Sequence, residues 1–518
     1  MNNADLLALK PTSSKDIEDV LTLEREVHPR IDIKKIKDNI ALLSLVNASY
    51  PPAEKIQSIK YLYRIGHGPS SSHSIGPERA AKHCMDKLPR THRVMITLYG
   101  SLAATGKGHF TDVAMIESFE RCGLVRENIR FTWKPHEELP LHPNGLTVHC
   151  YDEDDTYIGF YVAYSIGGGS IFDNFVEAGG DEAELIKVRP PSEFEAYPHT
   201  RMWGKNGIMK FCEENKLTSF PDYARHFEKL GGYDVEEHCR NCWNVMKAAV
   251  ETGLTTEGYL TVPGNDALKV CRKAKYLNQK AARLSPKFRR TPLLMSYATA
   301  VSEVNAGREV PIVTSPTCGA AGVLPGVLYY FWKEEDHSEK EIIDAMLTAA
   351  VFGNLVKANA SVSGAELGCM AEVGVASAMA AAAACQLLGG DMVQIESAFE
   401  TSLEGAMGLT CDTVAGGVLA PCISRNGLYA CHAVDSALMA LTENNVKLVS
   451  CDEIILTMKV TGVLMHSDLK ETARGGLALT YCLDEVVEAG ENGPEASYSV
   501  IRDHAIDVDE LANNPREK

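Results

Sequence analysis

The sequence predicts an α+β multidomain protein, with an N-terminal α/β domain that has a small sheet and a mainly α-helical C-terminal domain. Short runs rich in β-branched and aromatic residues alternate with glycine turns early in the chain, at 94–99, 146–149 and 158–164. After Thr291, alanine-rich stretches of helical character are interrupted by glycine turns. A chain of 518 residues is long enough for two or more domains, each with its own core.

The same patterns divide the chain into five segments. They are a helical N-terminal extension at 1–55, the α/β domain at 56–180, a helical connecting region at 181–290, the helical domain at 291–482 and an acidic tail at 483–518. Within the connecting region, residues 267–282 are expected to be helical. The helix around 375–388 is apolar on all sides and stops at Gly389 and Gly390, which is typical of a buried central helix.

Composition excludes several classes of partner. The chain has 51 basic and 69 acidic residues and a net charge of −18, which argues against nucleic acid and against an anionic membrane surface. The first residues lack the basic and apolar regions of a signal peptide. Fifteen cysteines in such a chain favour reduced thiols, some of them metal ligands, over a disulfide framework. We therefore expect a soluble cytoplasmic protein.

Three cysteines in glycine-containing surroundings are candidate metal ligands: Cys369, Cys411 and Cys422. Their long and unequal spacing does not fit a zinc finger, whose cysteines come in close pairs. Three thiolates without an obvious fourth partner suit an iron–sulfur cluster that leaves one iron open to substrate. A single buried cysteine is more often only a small core residue, so the interpretation depends on all three together.

Several blocks carry a resemblance to a known family. They include Gly66–Pro77 (GHGPSSSHSIGP), Ser315–Gly322 (SPTCGAAG), Ser361–Glu366 (SVSGAE) and Lys470–Ala478 (KETARGGLA). In these blocks and in the order of the blocks, the chain resembles the iron–sulfur-dependent L-serine dehydratase family in its single-chain form. The resemblance implies a 4Fe-4S cluster on the three cysteines, a small amino-acid substrate and a homodimer.

The resemblance also suggests a catalytic base. His73 follows Ser71 and Ser72 in a loop rich in small hydrogen-bonding residues, and its imidazole could take the Cα proton of the substrate. The two serines could orient the imidazole or hold the substrate. His109 and His142 lie in other matching blocks, where a structural role is as reasonable as a catalytic one.

Candidate substrate-binding residues lie in a glycine-rich turn that contains residues 315 and 317 and in the stretch ahead of Cys369. They are Ser315, Thr317, Lys357, Asn359, Ser361 and Ser363. A lysine here could pair with a substrate carboxylate, although a solvated lysine at a helix end is an equal alternative. Arg474 is a weaker candidate of the same kind.

The chain departs from the family at several positions. Cys318 stands where the family has Asn, Met370–Ala371 replaces a Gln-Gly pair, and Gly405–Ala406 replaces a His-Asn pair. These changes remove polar groups from segments expected near the cluster. They leave the identity of the substrate undecided, so that L-cysteine and L-threonine are alternatives to L-serine. Cys482, the counterpart of a family cysteine thought to cap the open iron, is followed here by a further tail.

Two other classes of protein remain alternatives at this stage. A pyridoxal phosphate lyase could perform the same net reaction, but no convincing pair of Schiff-base lysine and phosphate loop is present. A non-catalytic iron–sulfur protein would favour four protein ligands. The Cys239-x-x-Cys242 pair is a weak signal for a separate metal or redox site, because no second pair lies nearby.

Overall fold

The computed structural model describes residues 56–188, 195–262, 265–443 and 447–481. The N-terminal extension, the acidic tail and Cys482 lie outside the described residues. Within the described part, the N-terminal region holds a mixed sheet with helices and the C-terminal region is mainly helical. The predicted fold class is confirmed.

A five-stranded sheet organises the N-terminal region, in the order β4-β3-β5-β6-β7. The pair β3–β4 is parallel and the other three pairs are antiparallel. The elements of this region are β1 (Ile56–Gln57), β2 (Ile65–Gly66), α1 (Gly76–Lys87), β3 (Arg93–Tyr99), α2 (Gly100–Ala104), α3 (Thr111–Arg121), β4 (Ile129–Lys134), β5 (Gly145–Tyr151), β6 (Tyr157–Ser165), β7 (Ile171–Glu177) and α4 (Glu182–Leu185).

Alternation of side chains along β3 explains how this sheet is covered. Val94, Ile96 and Leu98 point to one face, because successive strand residues face opposite sides, and all three are buried. Their face packs against apolar residues of α1 and α3, such as Cys84 and Phe119. One side of the sheet is therefore a small core of its own.

The connecting region contains more strand than the sequence predicted. Its elements are β8 (Glu195–Tyr197), α5 (Ile208–Glu214), α6 (Phe220–Leu230), α7 (Val235–Thr255), β9 (Tyr259–Val262), β10 (Asn265–Cys271) and α8 (Ala274–Ala281). The expectation of helix over 267–282 is wrong for 267–271, which pairs with β9 in a hairpin. Leu268 and Val270 alternate with polar residues and pack on a small cluster with Leu260 and Ile423.

The C-terminal region is a helical assembly around one buried helix. Its elements are α9 (Pro286–Ala306), β11 (Ile312–Val313), α10 (Val323–Glu334), α11 (Glu339–Asn359), α12 (Gly364–Leu367), α13 (Val373–Leu387), α14 (Met392–Glu404), α15 (Cys422–Thr442) and α16 (Cys451–Leu464). Helix α13 packs against α10, α11, α14 and α15, and its residues Val373–Cys385 are all buried. Its alanines let these neighbours approach closely, and the prediction of a central helix is confirmed.

One stretch, Cys369–Leu387, is long and apolar enough to cross a membrane by length and composition. However, 89% of its apolar window is buried inside the protein, as in the central helix of a core.

Contacts between backbone and side chains hold the N-terminal region against the helical one, and two of them position the site. Strand β2 pairs with β11, so that Ile65 lies opposite Val313. The Ser101 hydroxyl, at the start of α2, donates a hydrogen bond of 2.7 Å to the backbone oxygen of Glu471, which follows α16. These contacts bring the block that contains His73 against the block that contains the cysteines.

Candidate active site

The three predicted cysteine ligands lie in one buried region. Cys369 follows Gly368, whose φ of +72° suits glycine, and Cys422 is the first residue of α15. Cys411 is fixed by two backbone hydrogen bonds of 2.8 Å, to Leu469 and from Glu471. Burial raises the pKa of the Cys411 thiol, and the charges of Glu471, Glu372, Cys369 and Cys422 add to this rise. The thiols therefore converge across long stretches of chain.

The surroundings of the cysteines fit a bulky thiolate-held group. A Cβ atom built on Gly364 would lie 2.8 Å from Glu372 Oε2 and 3.4 Å from Cys411 Sγ, so only glycine leaves this space open. Arg425, one turn after Cys422, is held by the Thr410 oxygen at 2.6 Å and by Asp412 at 3.2 Å. Its guanidinium counteracts the effect of burial on the pKa of Cys369, which still rises to about 11. Soft thiolate sulfurs are the donors that iron–sulfur clusters select, and the neighbouring guanidinium can offset part of their negative charge.

Two buried carboxyl groups at this place were missed by sequence reasoning. One ligand atom each of Glu372, Cys411 and Glu471 lies within 4.8 Å of the others. Burial raises the pKa of Glu372 to about 7, and the nearby Thr317 hydroxyl opposes part of that rise. Burial, and then Glu372, raise the pKa of Glu471 well above its usual value. The only available signals were the position of Glu372 just after Cys369 and of Glu471 inside a matching block.

The His73 ring is fully buried beside Glu471. The residue lies in a π-helical turn, Ser71–Ile75, directly before α1, and irregular turns of this kind are frequent at functional sites. Its Nε2 is 3.1 Å from the Ser101 oxygen, which can only accept, so Nε2 carries the hydrogen. The lone pair of Nδ1 then faces Ser72 Oγ at 3.0 Å and Glu471 Oε1 at 3.4 Å.

The electrostatics of this pair favour a neutral imidazole and a protonated carboxyl. Burial, and then the neighbouring His109, lower the pKa of His73 well below its usual value. Burial also lowers the pKa of His109 to about 4. The centroids of the His73 and His109 rings are 4.7 Å apart, and His109 Nε2 is 3.9 Å from Glu471 Oε1. His73, His109 and Glu471 thus form one buried group that can hold or pass a proton.

Several of the predicted substrate-binding hydroxyls are also buried. Among the described residues, Ser315 Oγ and Ser363 Oγ have no hydrogen-bond partner, an arrangement that leaves them available to a polar ligand. Thr317 Oγ1 is likewise buried without a hydrogen-bond partner, and this hydroxyl lies near enough to Glu372 to lower the pKa of its carboxyl. Ser361 instead donates to Glu366, which is 3.5 Å from His142 Nε2.

Other predicted residues point elsewhere. Lys357 Nζ donates to the Tyr61 oxygen at 3.1 Å and to Ser170 Oγ at 2.9 Å. Asn359 donates to the Thr200 oxygen at 2.7 Å, and Arg474 pairs with Asp468 at 3.3 Å. Within the described residues, these three side chains contact groups other than the cysteines, and a substrate role for each stays a prediction.

The departures from the family have different structural settings. Cys318 is buried, and burial followed by Glu372 raises the pKa of its thiol, which places it beside the carboxyl pair. In contrast, a Cβ atom on Gly405 would lie 2.7 Å from the His432 ring, and Ala406 packs against Gly374. The small residues at 405 and 406 therefore serve helix packing.

Cys239 and Cys242, the pair considered as a separate metal or redox site, lie on α7 within the largest hydrophobic core of the described residues.

Known proteins resemble this chain over most of its length. The family described as "Serine dehydratase alpha chain" matches residues 181–478, and "Serine dehydratase beta chain" matches residues 58–129. The chain is 35% identical to the L-serine dehydratase of Haemophilus influenzae over 82% of its own length and 98% of that protein. It is 36% identical to L-serine dehydratase 1 of Escherichia coli, over 81% of this chain and 98% of the relative. The L-serine dehydratase of Streptomyces coelicolor is also 36% identical, with 82% and 98% covered.

Both family models thus match one chain, and this chain covers 98% of each of these relatives at 35–36% identity. The protein is an enzyme that belongs to the serine dehydratase family.

Proposed function

We propose that this enzyme dehydrates and deaminates L-serine to pyruvate and ammonia with the help of a 4Fe-4S cluster. The observation that carries the proposal is the convergence of three buried thiols with a buried His73–Glu471 pair. The match with this chain covers nearly the full length of relatives that are named L-serine dehydratases, which supports the choice of substrate.

Cys369, Cys411 and Cys422 would hold the cluster. A bound cluster with one open iron supplies a Lewis acid, which a β-hydroxyl needs because hydroxide is a poor leaving group. Arg425 offsets negative charge beside Cys369, and Gly364 keeps the space next to Cys411 free. The positions of Arg425 and Gly364 support the assignment of the three cysteines as cluster ligands.

The His73–Glu471 pair would move the proton. Nδ1 of His73 carries the lone pair, and Glu471 lies between this nitrogen and the region of the cysteines. The pair takes the proton from Cα of serine and returns it to the departing hydroxyl, which leaves as water. The aminoacrylate that forms then tautomerises to an imine, and water hydrolyses the imine to pyruvate and ammonia.

Ser315 and Ser363 would orient the substrate. Their hydroxyls are buried and lack partners among the described residues, so a serine carboxylate or hydroxyl can satisfy them at no cost to an existing bond. Such fixed contacts exclude water and hold Cα toward the base. L-threonine and L-cysteine remain alternative substrates, because Cys318 places a thiol beside Glu372 where the family has an amide.

The test is to purify the protein without air and measure visible absorbance, iron, sulfide and pyruvate release from L-serine. We expect equal iron and sulfide, broad cluster absorbance, and a serine turnover that exposure to air removes. L-threonine and L-cysteine are assayed in parallel by release of their keto acids. Serine turnover that survives removal of all iron, or that requires pyridoxal phosphate, would overturn the proposal.

We also propose that the enzyme acts as a cytoplasmic homodimer that binds neither nucleic acid nor membrane. The net charge of −18 and the family resemblance support this assignment. Light scattering on the purified protein checks the dimer, and fractionation of cells checks the location.

A further inference from the structure

Two buried histidines and one buried carboxyl direct their ligand atoms at one another in the candidate active site. One ligand atom each of His73, His109 and Glu471 lies within 4.8 Å of the others. Glu471 Oε1 is 3.4 Å from His73 Nδ1 and 3.9 Å from His109 Nε2. In a tetrahedral metal site with bonds of about 2.0–2.1 Å, the ligand atoms are about 3.3 Å apart. The three groups are therefore already near the spacing that a metal ion requires.

The outer nitrogen of each imidazole faces a backbone carbonyl. His73 Nε2 lies 3.1 Å from the Ser101 oxygen, and His109 Nδ1 lies 2.9 Å from the Thr105 oxygen. Because a carbonyl oxygen can only accept, both of these nitrogens carry the hydrogen, and the inner nitrogen of each ring presents a lone pair. Histidines that bind metals in proteins almost always donate their other N–H in this way. Both rings thus have the tautomer that a cation beside Glu471 needs.

Hydrogen bonds to the backbone hold all three residues in place. The His73 oxygen accepts from the Thr111 hydroxyl at 2.6 Å, and the His109 oxygen accepts from the Ser74 hydroxyl at 2.7 Å. Glu471 has a φ of +58°, which residues other than glycine rarely adopt, and hydrogen bonds of its own backbone fix it there. Little further ordering is needed when a cation binds, which favours binding.

The carboxyl of Glu471 has no basic side chain as its partner. Among the residues that the structure describes, it forms ion pairs with His73 and His109, and no lysine or arginine pairs with it. Glu372 lies nearby and adds negative charge. Because the three groups are buried, water does little to stabilise a carboxylate here. A divalent cation would supply the missing positive charge and take the place of the proton that Glu471 otherwise carries.

We propose that His73, His109 and Glu471 bind a divalent transition-metal cation such as Zn²⁺, and that this cation inhibits the enzyme. Two imidazoles and a carboxylate are a ligand set that suits Zn²⁺, whereas Mg²⁺ prefers six oxygen ligands. The Ser72 hydroxyl, 3.0 Å from His73 Nδ1, can turn its hydrogen away and offer its oxygen as a further ligand.

Inhibition follows from the use of one lone pair for two purposes. A cation on His73 Nδ1 occupies the lone pair that otherwise takes the Cα proton of the substrate, so that proton cannot be removed. The inhibition therefore rests on the proposed function, whereas the cation site rests only on the geometry of the three side chains. This cation is separate from the cluster, whose ligands are the three cysteines.

The test is equilibrium dialysis of the anaerobically purified holoenzyme against Zn²⁺, followed by analysis of zinc, iron and sulfide. We expect saturable zinc binding, weakened by about a hundredfold or more in His109→Gln, because loss of a direct ligand should cost at least as much as loss of an outer-shell partner. His92→Gln is the matched control, since His92 is exposed ahead of β3. Iron and sulfide should stay constant, and excess Mg²⁺ should leave the zinc bound.

Glu471→Gln is a second variant in case His109→Gln does not fold, and far-ultraviolet circular dichroism checks both. It removes the carboxylate ligand and should weaken zinc binding to a similar extent. In the wild type, serine turnover should fall over the same range of zinc concentration in which zinc binds. Turnover should recover when a chelator removes the zinc, while the iron content stays constant.

Equal zinc affinity in the wild type and in the folded variants would overturn the cation site, as would displacement of the zinc by Mg²⁺. Zinc uptake that occurs only with loss of iron would place zinc at the cysteines and would overturn it too. Full serine turnover with zinc bound would overturn the inhibition. A holoenzyme without any serine turnover would contradict the proposed function instead, and the loss of zinc from His109→Gln would still establish the cation site.

Discussion

His73 Nδ1 lies 3.4 Å from Glu471 Oε1 in the interior of the protein, and neither side chain reaches solvent. The two residues come from opposite ends of the described chain, and the Ser101 hydroxyl bond to the Glu471 backbone fixes their approach. His109 borders both. This geometry makes the imidazole and the carboxyl one unit for proton transfer.

The first prediction concerns this unit. Glu471→Gln and His73→Gln should each lower kcat for serine by about 10²- to 10⁴-fold, the usual contribution of a positioned base. The double variant should be little worse than either single variant, because groups that act together are not additive. Steady-state pyruvate release and iron content check this. Additive losses, or wild-type turnover in either single variant, would show that the two residues do not work as a unit.

The second prediction is that the free energy of unfolding falls as the pH is lowered, and that part of this fall depends on His109. Its pKa is about 4 in the folded protein, below the ordinary value of 6.5, so the unfolded chain takes up a proton first as pH falls. Between pH 7 and pH 5 this linkage should cost about 2 kcal/mol of unfolding free energy. Urea unfolding of His109→Gln should lack that loss, whereas His466→Gln, a change at an exposed histidine, should keep it. An unchanged pH slope in His109→Gln would contradict the assignment.

Much of the site could be predicted from sequence because its parts lie in short local blocks. The three cysteines, His73, Ser315 and Ser363 are each marked by neighbouring glycines or small polar residues. Glu372, Glu471 and Arg425 were missed, since only the folded chain shows that their side chains lie beside the thiols.

At two other places, closeness in sequence does not determine what a residue contacts. Lys357 and Asn359 precede Cys369, but the end of α11 directs them to Ser170 and Thr200. The segment 267–271, predicted as helix, is a strand, because Leu268 and Val270 alternate with polar residues and the segment pairs with β9.

The third prediction tests the space beside Cys411. Gly364→Ala places a methyl group 2.8 Å from Glu372 Oε2 and 3.4 Å from Cys411 Sγ, so the carboxyl must shift. We expect lower iron content and lower turnover, with the secondary structure unchanged. Gly231→Ala is the matched control, because its nearest neighbour would be 3.4 Å away and its φ is −75°. Full iron content in Gly364→Ala would show that this space is not needed.

The fourth prediction concerns a departure from the family. Gly405→His, the family-like change, should lower the melting temperature because its Cβ atom would meet the His432 ring at 2.7 Å. Adding His432→Ala should recover most of that loss by freeing the space. Thermal unfolding of the two single variants and the double variant checks this. A stable Gly405→His single variant would mean that position 405 has more room than the packing indicates.

The measurement that tests the central claim most directly is the iron and sulfide content of Cys411→Ala, purified without air, beside that of Cys385→Ala. Cys385 is also a buried cysteine, but it belongs to the core of α13. The account predicts that Cys411→Ala loses the cluster and serine turnover, whereas Cys385→Ala keeps both. Wild-type iron and sulfide in Cys411→Ala would contradict the assignment of the three thiols as the cluster ligands.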